Sequence, residues 1–131
     1  MKVAIIGGSG FVGTKLIQKI IDSTLISTVI NIDRAVSNKY SSLTKVGDVM
    51  DLNSFEELLT GIDLVILLAA EHRDDVSPTS LYYDVNVKGM KNVLKAMETN
   101  NIKRLIFTSS VAIYGLDKNN PDESFPADPF N

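Results

Sequence analysis

The sequence contains no cysteine and one histidine among 131 residues. The first absence excludes a disulfide framework and thiolate chemistry. The second leaves His72 beside Glu71, Asp74 and Asp75. Such neighbouring positions do not converge as ligands from a turn or a helix face do, so no metal is expected. No apolar run approaches the ~20 residues of a membrane span, and no membrane partner is expected. The opening Met1-Lys2-Val3-Ala4-Ile5-Ile6 is too short for a signal peptide, and Gly7 and Gly8 interrupt it. There is no excess of basic residues and no basic stripe. The net charge of −3 argues against a nucleic-acid or anionic-membrane surface. A cytoplasmic location is the default expectation.

What is present fits one α/β domain: 44% of residues are hydrophobic and 22% are charged. The chain is organised around its start. An apolar run over residues 1–6 meets Gly7-Gly8-Ser9-Gly10-Phe11-Val12-Gly13 without a gap. Thr14 to Ile21 then follows at helical period. Strand, glycine turn and helix stand in the order a dinucleotide site needs, although glycine turns also serve plain chain reversal. Side chains at Gly7 or Gly10 would keep the backbone from a pyrophosphate, and Gly13 lets the helix pack close on the strand. The unpaired amides of the first helical turn, at the positive end of the helix dipole, face the anion.

A second run, Ser27 to Asp33, ends on a carboxylate twenty residues after Gly13. That spacing suits hydrogen bonds from the ribose hydroxyls. Asp33 repels a 2′-phosphate and favours NAD, whereas Arg34 could accommodate one. NAD is the expected cofactor. Leu43 to Val46 reads as a weak third strand. Asp51 reads as the cap of a helix over 52–59 with Phe55, Leu58 and Leu59 on one face. Gly61 ends it. Asp63 to Ala70 reads as a central strand buried on both faces, and its end, Leu68-Ala69-Ala70, lies where ligands sit in doubly wound folds. Glu71 and His72 follow, either lining the pocket or forming a solvated charge cluster. The longest helix is expected from Pro78 or Thr79 to about Thr99. Its apolar face is Leu81, Val85, Met90, Val93, Leu94 and Met97, with Gly89 inside for a close contact and Asn100-Asn101 at the end. Arg104 to Thr108 reads as strand five.

Several stretches resemble the extended short-chain dehydrogenases/reductases, the nucleotide-sugar epimerase and dehydratase family. GGSGFVG over residues 7–13 is similar to that family's cofactor loop, with Ile6 where Thr is common. Gly47-Asp48-Val49-Met50-Asp51 looks like its GDxxD stretch, Leu68-Ala69-Ala70 like its LAA segment, Asn86 to Leu94 like NVxGTxNLL, and Phe107 to Gly115 like FSSSAxVYG. The resemblance implies that Asp48 meets the adenine amino group with Val49 beside the ring. Leu68, Ala69 and Ala70 would border the cofactor ribose. Asn86 would support the active-site hydrogen bonds, Thr108 and Ser109 would border the nicotinamide, and Ser110 would hold a substrate oxygen. Phe11 and Val12 belong to the loop on the cofactor.

The family's proton carrier is a Tyr four residues before a Lys, whose ammonium lowers the phenol pKa. Tyr114 and Lys118 have that spacing but lie among Gly115, Asp117, Asn119, Asn120 and Pro121, which mark a loop. The pair is expected instead beyond the DExxPxxPxN-like segment that ends at Asn131. Residues 1–131 therefore read as an incomplete NAD-binding Rossmann domain without its substrate domain. The expected fold is a doubly wound parallel sheet of order 3-2-1-4-5 with an exposed fifth strand that predicts self-association. The implied activity is transient oxidation at C4 of a UDP- or dTDP-sugar. The alternatives are a reductase or hydroxysteroid-type dehydrogenase of the same superfamily, or a non-catalytic dinucleotide sensor. In binding assays the chain should prefer NAD to NADP; the reverse preference would show that Arg34 outweighs Asp33.

Overall fold

The computed structural model describes residues 1–73, 75–116 and 119–129. Asp74, Asp117, Lys118 and Asn131, which figured in the sequence argument, lie outside the described residues. The strands form where apolar and β-branched residues cluster: β1 Lys2–Ile6, β2 Thr28–Asp33, β3 Thr44–Val46, β4 Leu64–Leu67 and β5 Leu105–Phe107. They make one parallel sheet in the expected order β3-β2-β1-β4-β5. β1 is central, with Val3 registered against Val29 on one side and Leu64 on the other.

Alternation along each strand feeds two cores. Ala4, Ile6, Ile32, Val65 and Leu67 pack with Phe55, Leu59, Val93 and Met97. Val3, Ile5, Val29 and Ile66 pack on the other face with Ile17 of helix α1, Phe11–Ile20. A sheet covered on both faces makes its central strands almost wholly apolar. β3 and β5 are the edges, and Ile106 and Phe107 of β5 remain half exposed. Among the described residues no helix is long and apolar enough to cross a membrane.

Three expectations need correction. The stretch 52–59 is not one α-helix but two 3-10 segments, Leu52–Ser54 and Glu56–Leu59. Asp51 does cap it, accepting from the Asn53 amide at 3.2 Å. The carbonyl of Asp51, however, accepts both the amide and the hydroxyl of Ser54, at 3.0 and 2.7 Å, which holds the turn at three-residue spacing. The long helix is likewise not uniform. It runs as α2, Ser80–Tyr83, a π-helical turn, Asp84–Lys88, and α3, Gly89–Thr99. Past that turn the buried positions are Val93, Ala96 and Met97, while Leu94 is half exposed.

The end of α3 is built as its sequence suggests. Asn101 takes a left-handed conformation, with φ 56°. The amide of Asn101 then donates to Glu98 and that of Ile102 to Met97, at 3.0 and 2.8 Å, satisfying the last carbonyls. Phe55, only 1% exposed, bridges the 3-10 segments and the core on the α3 side of the sheet. Phe55→Ala should destabilise the domain by about 3–5 kcal/mol, read as a lowered urea midpoint. A loss below about 1 kcal/mol would show that the core collapses into the vacancy.

Candidate functional site

The chain leaves β1 and β4 on opposite faces of the sheet, and a cleft opens at their carboxyl ends. Main-chain bonds hold its floor. The Ile6 carbonyl accepts from Leu68 and Ala69 at 2.8 and 3.0 Å, and the Gly7 amide donates to Ile32 at 2.8 Å. The Gly47 amide donates to Asp33 at 3.1 Å. The cleft encloses about 380 Å³, and Gly7, Gly10, Asp33, Arg34, Asp48, Val49, Leu68, Ala69 and Ala70 all line it. Nine of the residues singled out from the sequence are thus brought together.

The glycines of the turn differ in why they are glycine. Gly7 has φ +88°, and a Cβ there would lie 2.5 Å from the Ala69 amide nitrogen. A Cβ on Gly13 would lie 2.3 Å from Gly8 Cα. Gly13 therefore admits the helix to the turn, not to the strand as the sequence suggested. Gly10 is another matter. A Cβ there would meet only the Gly7 carbonyl, at 3.7 Å, and its φ of −71° suits any residue. Neither packing nor backbone conformation requires glycine at position 10. Its missing side chain leaves room in the cleft.

Gly10 is the N-cap of α1, and no side chain caps the helix there. The first turn carries no acid. Its amides and the positive end of the helix dipole are left for an anion beside an open backbone. Phe11 and Val12 do not line the cleft. Their side chains are largely exposed, so only their amides can serve it.

Across the cleft, Asp33 accepts from the Ser9 amide at Oδ2 and from the Ala35 amide at Oδ1, both at 3.0 Å. A carboxylate oxygen keeps a further lone pair after one such bond, so Asp33 can still accept from a diol. Asp48 is fixed by its own turn, accepting from the Met50 amide at 2.9 Å. Val49 is buried, with its carbonyl accepting from Asn92 Nδ2 at 2.8 Å. Gly89 is where Val49 packs on the helix: a Cβ there would lie 2.8 Å from Val49 Cγ2.

The loop after β4 is clamped. Asn86, on the π-helical turn, accepts from the Glu71 amide at 2.8 Å and donates to the Glu71 carbonyl at 2.9 Å. A residue outside the regular helical period is often found at such a site. Glu71 is buried and turns back on its own loop, accepting from the amides of His72 and Arg73 and from Arg73 Nε at 3.1 Å. It neither lines the cleft nor belongs to a solvated cluster. The Arg73 guanidinium holds its carboxyl below the usual range against the opposing effect of burial. The Tyr82 hydroxyl donates to the Arg73 carbonyl. His72 does line the cleft. Among the described residues no three His, Asp or Glu side chains gather as metal ligands.

Asn86, Thr108, Ser109 and Ser110 stand outside the cleft. The Thr108 hydroxyl donates to the Leu67 carbonyl at 3.3 Å. Ser110 Oγ accepts from the Ala112 amide at 3.1 Å and caps the 3-10 turn Val111–Tyr114, past β5. Tyr114 closes that turn. Sequence reasoning missed Ser9, Ala35, Gly47 and Val85, which also line the cleft. Ser9, a hydroxyl inside a glycine turn, and Gly47, which opens the GDxxD-like stretch, carried visible signals; Ala35 and Val85 carried none.

These features fit an extended ligand with a diphosphate at its middle and a ribose at one end. A family model described as the NAD dependent epimerase/dehydratase family matches residues 3–131. The chain is 58% identical, over 98% of its length and 38% of the relative's, to an N-acetyl-alpha-D-glucosaminyl-diphospho-ditrans,octacis-undecaprenol 4-epimerase of Escherichia coli O157:H7. It is 32% identical, over its full length and 42% of the relative's, to a UDP-glucose 4-epimerase of Lactobacillus helveticus. It superposes with a TM-score of 0.82 and 27% identity on a crystal structure of UDP-glucose 4-epimerase from Bifidobacterium longum in complex with NAD+ and UDP, covering 98% of this chain and 43% of that one. The chain thus spans about two fifths of the length of the curated relatives it matches.

The clamp on Glu71 has a pH signature. Its folded pKa lies below the ordinary 4.5, so the unfolded chain takes up the proton first. The clamp's stabilisation is therefore complete above 4.5 and is lost as pH falls toward the lowered value. Below pH 4.5 the melting temperature of the wild type should fall more steeply with acid than that of Glu71→Gln. Parallel curves would show that the clamp contributes nothing.

Proposed function

The chain belongs to the NAD-dependent epimerase/dehydratase family, and on that premise we propose that it is the cofactor-holding part of a 4-epimerase acting on a hexose carried by a diphosphate. The observation that carries the reading is the clearance at Gly10, where the protein itself gives no reason for glycine. The uncapped first turn of α1 supports a diphosphate at that point, and Asp33 supports a ribose diol opposite it. We assign the adenine to Asp48 and Val49, and the inner ribose to Leu68, Ala69 and Ala70. The chemistry the dinucleotide supplies when bound is acceptance and return of a hydride at the sugar C4. Asn86 would hold the loop of Glu71 steady beside that sugar, Thr108 and Ser109 would border the nicotinamide, and Ser110 would hold the reacting oxygen.

The substrate class follows from the relatives' names. Each carries a hexose on a diphosphate, and the 58% identical relative carries it on a polyprenol. That favours a lipid-linked N-acetylhexosamine over the UDP- or dTDP-sugar expected from family resemblance. The proton-moving Tyr and Lys belong, in this reading, to sequence following residue 131, and the half-exposed Ile106 and Phe107 support self-association.

Titration of the folded chain with NAD should show one site, without turnover of UDP-N-acetylglucosamine. Gly10→Val should keep the fold, since its Cβ would meet only the Gly7 carbonyl at 3.7 Å and the helix loses only a preferred N-cap residue. It should weaken NAD by roughly tenfold to a hundredfold, the worth of one or two charge-assisted bonds lost at the phosphate. A folded chain that ignores NAD, or a Gly10→Val variant that binds it as well, would sink the proposal.

A further inference from the structure

We infer that Asn31 is a positioning residue for the dinucleotide site, holding Ser9 so that the glycine turn presents Asp33 to the ribose; this rests on the reading of the site given above. Asn31 lies on β2, on the face where its neighbours Val29 and Ile5 are apolar core, and it is 0% exposed. An aliphatic residue would be the ordinary choice. Its Oδ1 is buried and has no hydrogen-bond partner among the described residues; it is pressed on Gly8, where a Cβ would lie 2.3 Å away. A buried unpaired acceptor is unfavourable, so its retention calls for a purpose beyond stability.

The purpose lies in its Nδ2. That nitrogen donates at 2.9 Å to Ser9 Oγ and at 2.9 Å to Thr44 Oγ1. The proton of each hydroxyl is already committed. Ser9 Oγ donates to the Ala35 carbonyl at 2.7 Å, and Thr44 Oγ1 to the Tyr40 carbonyl at 2.8 Å. Both hydroxyls can therefore only accept from position 31. A neutral amide supplies two donors from one atom; a carboxylate supplies none, and an aliphatic leaves the two hydroxyls with their carbonyl acceptors but without the bond that joins them through position 31. Asn31 so ties the glycine turn to the start of β3, across the segment 34–43 that follows Asp33.

The tie reaches the ligand through Ser9. The amide of that residue donates to Asp33 Oδ2, and its hydroxyl holds Ala35, whose own amide donates to Asp33 Oδ1. Asp33 is thereby fixed from both oxygens by groups that Asn31 steadies. A fixed Asp33 does two things: it accepts from the ribose diol, and it repels a phosphate at the 2′ position. A loosened one does both less well.

The test uses Asn31→Val, Asn31→Asp and Ser9→Ala, with NAD and NADP affinities measured well below each melting temperature. Asn31→Val should fold, since it suits the apolar face, yet bind NAD about fivefold more weakly, the worth of one hydrogen bond. Its preference for NAD over NADP should narrow. Asn31→Asp should move both in the same direction and further. Ser9→Ala should reproduce the effect and add nothing to Asn31→Val, because the two act through one contact. Amide exchange of Ser9 and Ala35 in the ligand-free protein should quicken in every variant. A wild type that binds NAD while the variants keep its affinity and its preference would overturn the inference and leave the reading of the site intact. A wild type that binds neither dinucleotide would overturn that reading, and unchanged exchange at Ser9 would then overturn the tether as well. Should Asn31→Val not fold, Ser9→Ala, on a half-buried turn residue, decides by the same measurements.

Discussion

The approach of α1 to the turn that precedes it governs the rest of this fold. A methyl group at Gly13 would fall 2.3 Å from Gly8 Cα, so the helix can reach that depth only with hydrogen there. The depth sets the line along which the helix leaves the sheet. It also presses Gly8 on the Asn31 side chain and leaves Gly10 at the mouth of the cleft with nothing against it. One contact thus orders the core beneath α1 and the cleft above it. The other walls follow from strands that end together, each bonded to its neighbour through the main chain.

Most of that frame was legible in the sequence, because apolar periodicity and glycine spacing are local. Five strands, their order and the cleft at their carboxyl ends could be read from runs such as residues 2–6 and 64–67. What could not be read depends on contacts far apart in the chain. Asn31 looks like one polar residue in a strand until Ser9 and Thr44 are seen on either side of it. The two 3-10 segments after Asp51 share their apolar pattern with an α-helix, and only the reach of Ser54 to Asp51 separates them. The π-helical turn at Asp84–Lys88 is hidden for a different reason: it shifts the period by one residue inside a pattern too short to reveal the slip.

That turn is also where the site depends on irregular backbone. Asn86 meets both main-chain groups of Glu71, and Glu71 gathers the amides of the two residues that follow it. The loop beside the cleft is therefore held by four side chains, those of Asn86, Glu71, Arg73 and Tyr82, acting on its main chain and on one another. Ser109 and Ser110 stand apart, on exposed backbone past the edge strand. The cleft at the glycine turn is thus lined from several strands, whereas Ser109 and Ser110 stand away from it.

The cleft floor is stitched by amide-to-carbonyl bonds that form as the sheet forms. A ligand arriving there meets a surface already in its final shape, so little conformational entropy remains to be lost on binding. Cofactor affinity and fold integrity are then coupled, since binding to the native state alone adds to its stability. Damage to the sheet far from the cleft would register first as weakened cofactor retention, and a cell short of the dinucleotide would hold less of this protein in its native form.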